Sequence, residues 1–197
     1  MDFQREKEIV RAYHAALDAA GADDVGAVTR PFLAEGCLWR GYYPFDELTG
    51  PDAVAGQFWQ PLKASLTGMQ RREDIFFAGL NEIDGFKGRW GVSMGHLMGL
   101  FDQPWLGIPP TGRMAFLRYC TFCRVEDGRM SEIAMFFDIP HLMIQAGLRP
   151  FSKQAGAHLV QPGPMGHGGL LYKPQLADEG QRTLAAINAM IADLGTW

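Results

Sequence analysis

Three cysteines in 197 residues (Cys37, Cys120 and Cys123) are too few, and odd in number, for a disulfide framework. Cys120 and Cys123 form a C-x-x-C, yet residues three apart in a strand face opposite sides, and no second C-x-x-C exists to complete a zinc site. Core packing is the expectation for them. No apolar stretch approaches the ~20 residues that span a bilayer, so no membrane partner is expected. Basic charge is in short supply: Lys and Arg total 18 against 22 Asp and Glu, a formal net charge of −4. That argues against nucleic acid as a partner, because such binders carry a basic stripe. The N-terminus, MDFQREKEIVRAYHAAL, is charged and helical in pattern, unlike a secretory signal, which makes the cytoplasm the expected compartment. H-E-x-x-H, Walker loop and nucleophile elbow are lacking, and His141, His158 and His167 are scattered, so neither metal nor cofactor is expected.

What is present suits a globular chain of one domain, or one domain with an appendage: 47% of residues are apolar and 20% charged. Residues 4–20 place Ile9, Val10, Tyr13, Ala16, Leu17 and Ala20 at helical spacing, with Gly21 as a stop. Asp23 and Asp24 can cap a second helix carrying Val25, Val28 and Phe32. The aromatic run 36–43 reads as a strand, and Pro51 opens a third helix with Val54, Phe58, Trp59, Leu62 and Leu66 along one side.

After Gly68 the period changes. Residues 69–83, 86–101, 113–125 and 130–138 read as four strands, with hairpin signals at DG (84–85) and EDG (126–128). Helices followed by a run of strands predict an α+β fold with a curved, mainly antiparallel sheet. Gly88, Gly91, Gly95 and Gly99 would permit the bend. The expected domain occupies 1–148. Residues 149–197 form an arm rich in proline and glycine (Pro150, Pro162, Pro164, Pro174), then a helix over 176–194. The stripe Leu176, Leu184, Ile187, Met190, Ile191 and Leu194 must be buried on the domain or on a partner subunit, which predicts a homodimer.

The order of helices, aromatic strand and long sheet resembles the nuclear transport factor 2-like α+β cone. Within it, Gly107 to Arg113 (GIPPTGR), Arg118, the V-E-D-G-R turn (125–129) and the D-x-x-x-L-M-x-Q-A-G ending (138–147) resemble the SnoaL-like polyketide cyclases over roughly residues 5–148. The resemblance implies a cofactor-independent enzyme that forms an enolate and closes or isomerises a ring on a small hydrophobic carbonyl compound. It implies Asp138 as the base and His96, on a neighbouring strand, lining the cavity. Where the family often writes G-T-H, this chain has M-G-H. A non-catalytic small-molecule-binding protein of the same fold, or a relative of the epoxide hydrolase or dehydratase kind, is the alternative.

Asp138 sits among Phe136, Phe137 and Ile139, and a carboxylate in apolar company gains basicity. It also precedes Ile139-Pro140, a helix start, where an aspartate commonly caps. His96 shares a strand face with Trp90, Met94 and Met98 and is either a hydrogen-bonded core residue or an oxyanion donor. Trp39, Tyr43, Phe58, Trp90, Met94, Phe116, Arg118 and Phe136 are the expected substrate lining, each also a candidate for ordinary core. Glu132 is either a second cavity carboxylate or an ion-pair partner of Arg118 or Arg124. An epoxide hydrolase reading requires Glu132, Arg118 and Asp138 all to point inward.

Overall fold

A computed structural model describes residues 2–152 and 163–195; His158 and Pro162 fall outside them. The first helix, α1 (Gln4–Ala19), buries Val10, Tyr13 and Leu17, three members of the stripe its spacing predicts. The short α2 (Val25–Thr29) follows, without a side-chain cap from Asp24; instead the Thr29 hydroxyl donates to the Val25 carbonyl at 2.6 Å. Strand β1 (Leu33–Arg40) ends earlier than the aromatic run suggests. The chain turns at Gly41, whose N–H donates to the Asp46 carbonyl (3.0 Å), and Tyr42 and Tyr43 are left exposed on that turn. After β2 (Glu47–Thr49) one helical run covers 51–65: α3 (Pro51–Val54), a π turn (Ala55–Trp59) and α4 (Gln60–Ser65). Pro61, which has no N–H to give, stands at its last turn boundary.

The sheet then fills in with β3 (Leu66–Leu80), β4 (Arg89–Phe101), β5 (Arg113–Glu126) and β6 (Arg129–Phe137). The strand order is β2-β1-β6-β5-β4-β3. Every neighbouring pair is antiparallel except β1 with β6, which run parallel. The β5–β6 hairpin closes at Asp127-Gly128, both at positive φ (50° and 79°), as the E-D-G signal requires. Register shifts along β3, between Thr67 and Gln70 and between Glu73 and Ile75, supply bend and twist.

The helices pack on the concave face, against Leu97 and Phe101 of β4, Leu117, Tyr119 and Cys123 of β5, and Ile133 and Met135 of β6. Small residues on β4 let α1 lie close: a Cβ on Gly91 would stand 2.9 Å from Val10. Gly95 is tighter still, for a Cβ there would come within 2.0 Å of the Arg72 carbonyl oxygen. Rings fill the β1–β6 end of the interior, with Phe58 4.7 Å from Trp39 and 5.2 Å from Phe137 between centroids, and Trp105 and Phe45 beside them. Edge-to-face and tilted contacts of this kind add about 0.5–1.5 kcal/mol per pair beyond burial.

Beyond β6, α5 (Ile139–Gln145) lies along β5, where the Gln145 amide donates to the Phe116 carbonyl (2.7 Å) and accepts from its N–H (2.9 Å). The described part of the arm runs along the edge of β3. Phe76 N–H donates to the Gly169 carbonyl and Leu171 N–H to the Phe76 carbonyl, at 2.8 and 2.7 Å. The last helix, α6 (Ala177–Leu194), buries none of its residues. Among the described residues no helix is long and apolar enough to cross a membrane.

Candidate functional site

Parity along the strands decides which side chains can meet. Asp138 and His96 do lie near one another, but on the outer, convex face. His96 is registered opposite Arg118 across β4 and β5, and both project away from the helices. Asp138 caps α5: its carboxylate accepts the His141 N–H (2.9 Å) and the Arg118 guanidinium (2.5 Å), with 30% of the side chain exposed. The imidazole Nδ1 of His96 stands 3.2 Å from Asp74, which also meets Arg72 at 3.4 Å. His141 closes this outer group, and burial, then Arg118, hold its imidazole below the ordinary pKa. The dry hollow anticipated around Asp138 is therefore not found: it borders a shallow, open depression with Met94, Phe136 and Pro140.

The expected lining divides in the same way. Trp39 and Phe58 are fully buried on the inner side. Trp90, Met94, Phe116, Arg118 and Phe136 belong to the outer face, with Met94 and Phe136 about two-fifths exposed. Tyr43, 85% exposed, is on the turn after β1. Glu132 pairs with Arg40, not with Arg118 or Arg124, because the parallel partner β1 brings Arg40 alongside; Arg124 turns to Glu126. The inward array of Glu132, Arg118 and Asp138 is absent for the same reason. Cys120 and Cys123 lie on opposite faces and are free thiols; burial pushes the Cys123 thiol up to about 12.

The concave face holds a different group, one that strand and motif reading did not single out. Ser93 on β4 donates to Glu73 on β3 at 2.6 Å, and Tyr119 on β5 donates to the Ser93 oxygen at 2.9 Å, since the single Ser93 proton is already committed. The Tyr172 hydroxyl, brought by the arm, donates to the other Glu73 oxygen at 2.8 Å. His14 of α1 directs Nδ1 at Glu73 from 3.6 Å. Arg71, two residues before Glu73 on β3, lies over the Tyr119 ring (4.9 Å) and donates to Asp18 of α1 at 3.1 Å. The result is a linked polar chain from Asp18 to Tyr172, under α1, in an otherwise apolar interior.

Its electrostatics follow from burial and partners. Burial raises the Glu73 carboxyl, but hydrogen bonds from His14, Ser93 and Tyr172 outweigh it and leave the group below its usual value. Burial, then the neighbouring Arg71 cation, lower the His14 imidazole to about 4, so it is neutral at pH 7. Burial raises the Tyr119 and Tyr172 phenols, Tyr172 to about 12. Among the described residues Arg71 Nη2 and Asp18 Oδ1 are buried and without a hydrogen-bond partner. The set thus offers an imidazole with one nitrogen turned to a carboxylate and an unsatisfied guanidinium N–H, beside two phenols whose protons are given to Ser93 and Glu73. Such a set can take up a proton and stabilise a developing oxyanion. The sequence signal was R-x-E at 71–73, two charges on one strand face that must both be buried or both exposed.

No family model matches the sequence, and no curated protein does. Solved structures do match the fold. The proposed hydroxylase AclR of Streptomyces galilaeus superposes with a TM-score of 0.59 at 13% identity, covering 74% of this chain and 98% of its own. The proposed polyketide cyclase IdmH of Streptomyces antibioticus gives 0.57 at 17%, covering 72% and 97%. A proposed SnoaL-like polyketide cyclase of Jannaschia sp. CCS1 gives 0.55 at 19%, covering 71% and 92%. Helices packed on a six-stranded mixed sheet, together with these structural neighbours, show that the chain has the α+β fold of the nuclear transport factor 2-like proteins and of the SnoaL-like polyketide cyclases.

Proposed function

We propose that the chain is a cofactor-independent acid/base enzyme that forms an enolate on a small hydrophobic carbonyl compound, leading to ring closure or isomerisation. The reading assigns the chemistry to the concave face. The observation that carries it is the buried chain Tyr119–Ser93–Glu73 with His14 beside it and an unpartnered Arg71 N–H at its end. With His14 Nδ1 turned to Glu73, its other ring nitrogen is the one left to receive a proton from carbon. Arg71, through its unpartnered N–H, is the donor for the enolate oxygen. Fixed donors in a dry site supply several kcal/mol without metal or nucleotide.

The test is deuterium exchange at the α-carbon of a hydrophobic aryl ketone. The protein should accelerate it, and Glu73→Gln should reduce the acceleration about 100-fold or more. Asp138→Asn should stay within about threefold. The reverse pattern would move the chemistry to the outer pair of Asp138 and His96.

A second reading, a ligand-binding protein without turnover, draws on one observation: Asp138 acts as a helix cap held by Arg118 and is directed away from the interior. No acceleration of exchange by the unmodified protein would favour it. Either reading accommodates a homodimer, supported by the apolar residues exposed on the distal half of α6 and on the convex face (Met190, Ile191 and Leu194; Met94 and Phe136). Light scattering of the full chain tests that association.

A further inference from the structure

A groove of about 560 Å³ runs between α6 and a floor made by the start of α1 and the end of β3. That volume is within the roughly 300–1,000 Å³ of ligand sites. Phe3, Ala78, Leu80 and Phe86 form the floor, and Leu176 and Leu184 the roof. Exposure is lowest mid-helix, at Leu184 (37%), and rises through Ile187 (46%) to Leu194 (65%), so α6 comes nearest the floor around Leu184, with Asn188 reaching Glu82 at 3.3 Å. Two apolar faces thus oppose one another across an open space, and a helix of 18 residues buries none of them.

One end of this groove is polar. Lys7 borders it on both flanks of α6, yet the residue is only 4% exposed. Its ammonium donates to the Lys173 carbonyl at 2.9 Å, its one acceptor among the described residues, leaving two protons to give. Burial lowers its pKa, opposed by the Asp2 carboxylate, which also borders the groove. The Gln4 side-chain amide nitrogen, also at the groove, is buried without a partner among the described residues. A cation and an amide donor at the end of an apolar slot match a hydrogen-bond-accepting anion carried on an aliphatic tail.

We propose that this groove binds an amphipathic carboxylic acid, its tail between α6 and the floor and its carboxylate at Lys7 and Gln4. The site is separate from the polar chain under α1 and does not depend on that chain being catalytic. The carboxylate would add a charge-assisted pair to a partly desolvated ammonium. The tail would complete the burial that α6 lacks.

Calorimetric titration of the full chain with decanoate and with decanol tests it. The unmodified protein should bind decanoate more tightly than decanol. Lys7→Met, which keeps the apolar stem, should weaken decanoate about tenfold and leave decanol within twofold; Lys7→Arg should restore the preference. Leu184→Glu should weaken both more than tenfold, and Glu73→Gln should change neither. Failure of the unmodified protein to bind decanoate overturns the proposal, as does equal binding by Lys7→Met. A dimer that Leu184→Glu converts to monomer, with no decanoate bound by either form, overturns it in favour of a second copy filling the groove.

Discussion

Ser93 and Glu73 face one another across β4 and β3 with their side-chain oxygens 2.6 Å apart, and the serine is wholly buried. Its hydroxyl is the middle of the relay, giving its proton to Glu73 while receiving that of Tyr119. Ser93→Ala should cost about 1–3 kcal/mol, since one deletion leaves both a buried carboxylate and a buried phenol short of a partner. Urea unfolding would read the loss. Stability equal to the parent would mean that the relay does not bear on the fold.

His14 should set part of the acid sensitivity. Its folded pKa, about 4, lies below the unfolded value near 6.5. Between those values the unfolded chain binds more protons, so stability is fully present above about pH 6.5 and falls as pH drops towards 4. The single-site contribution is roughly 3 kcal/mol at one and a third kcal/mol per unit. Glu73, also depressed, acts in the same direction at lower pH. Urea midpoints between pH 4 and 8 should therefore rise steeply through pH 5–6, and His14→Gln should flatten that rise. An unchanged slope in the variant would show that His14 titrates normally in the folded protein.

Arg71 is 95% enclosed and depends on Asp18, whose own side chain is 29% exposed. Asp18→Ala should destabilise by about 2–3 kcal/mol, below the range for a fully buried pair because water reaches the aspartate side. Replacing the arginine as well, in Asp18→Ala/Arg71→Met, should recover part of that loss. A double variant worse than the sum of the singles would contradict the burial argument.

Gly95 sits opposite the β3 irregularity that aims Glu73 inward. Gly95→Ala would set a methyl 2.0 Å from the Arg72 carbonyl, a backbone atom that cannot rotate away. The expected cost is about 3 kcal/mol, with faster amide exchange along 70–76. Protection there equal to the parent would show that the two strands tolerate a side chain at this crossing.

The element order was readable because its signals are local. Helical spacing in 4–20, the E-D-G turn and the long strand runs all rest on nearest neighbours. What could not be read was the side of the sheet that faces the helices. On β4 the alternation separates Trp90, Met94, His96 and Met98 from Gly91, Ser93, Gly95, Leu97 and Gly99. The richer set invites assignment to the interior. The structure does the opposite: the set with the glycines faces the helices, and at Gly91 α1 comes so near, through Val10, that a side chain would clash. Asp138 and His96 therefore lie on the face opposite the helices, where Arg118 links their strands. The polar chain is not legible in the sequence because His14, Arg71, Glu73, Ser93, Tyr119 and Tyr172 come from four elements and the arm, and only the fold brings them together.

The backbone pairing at Phe76 has a further meaning for the life of the chain in a crowded solution. A long border strand offers open amides and carbonyls to any neighbour, which is how sheets grow into aggregates. Here that border is sealed in part by residues 169–171 of the same molecule, while the opposite border is the three-residue β2. The tail thus acts as a selvedge: a shortened protein ending at α5 would retain α1 to α5 and all six strands yet present a fresh, adhesive rim.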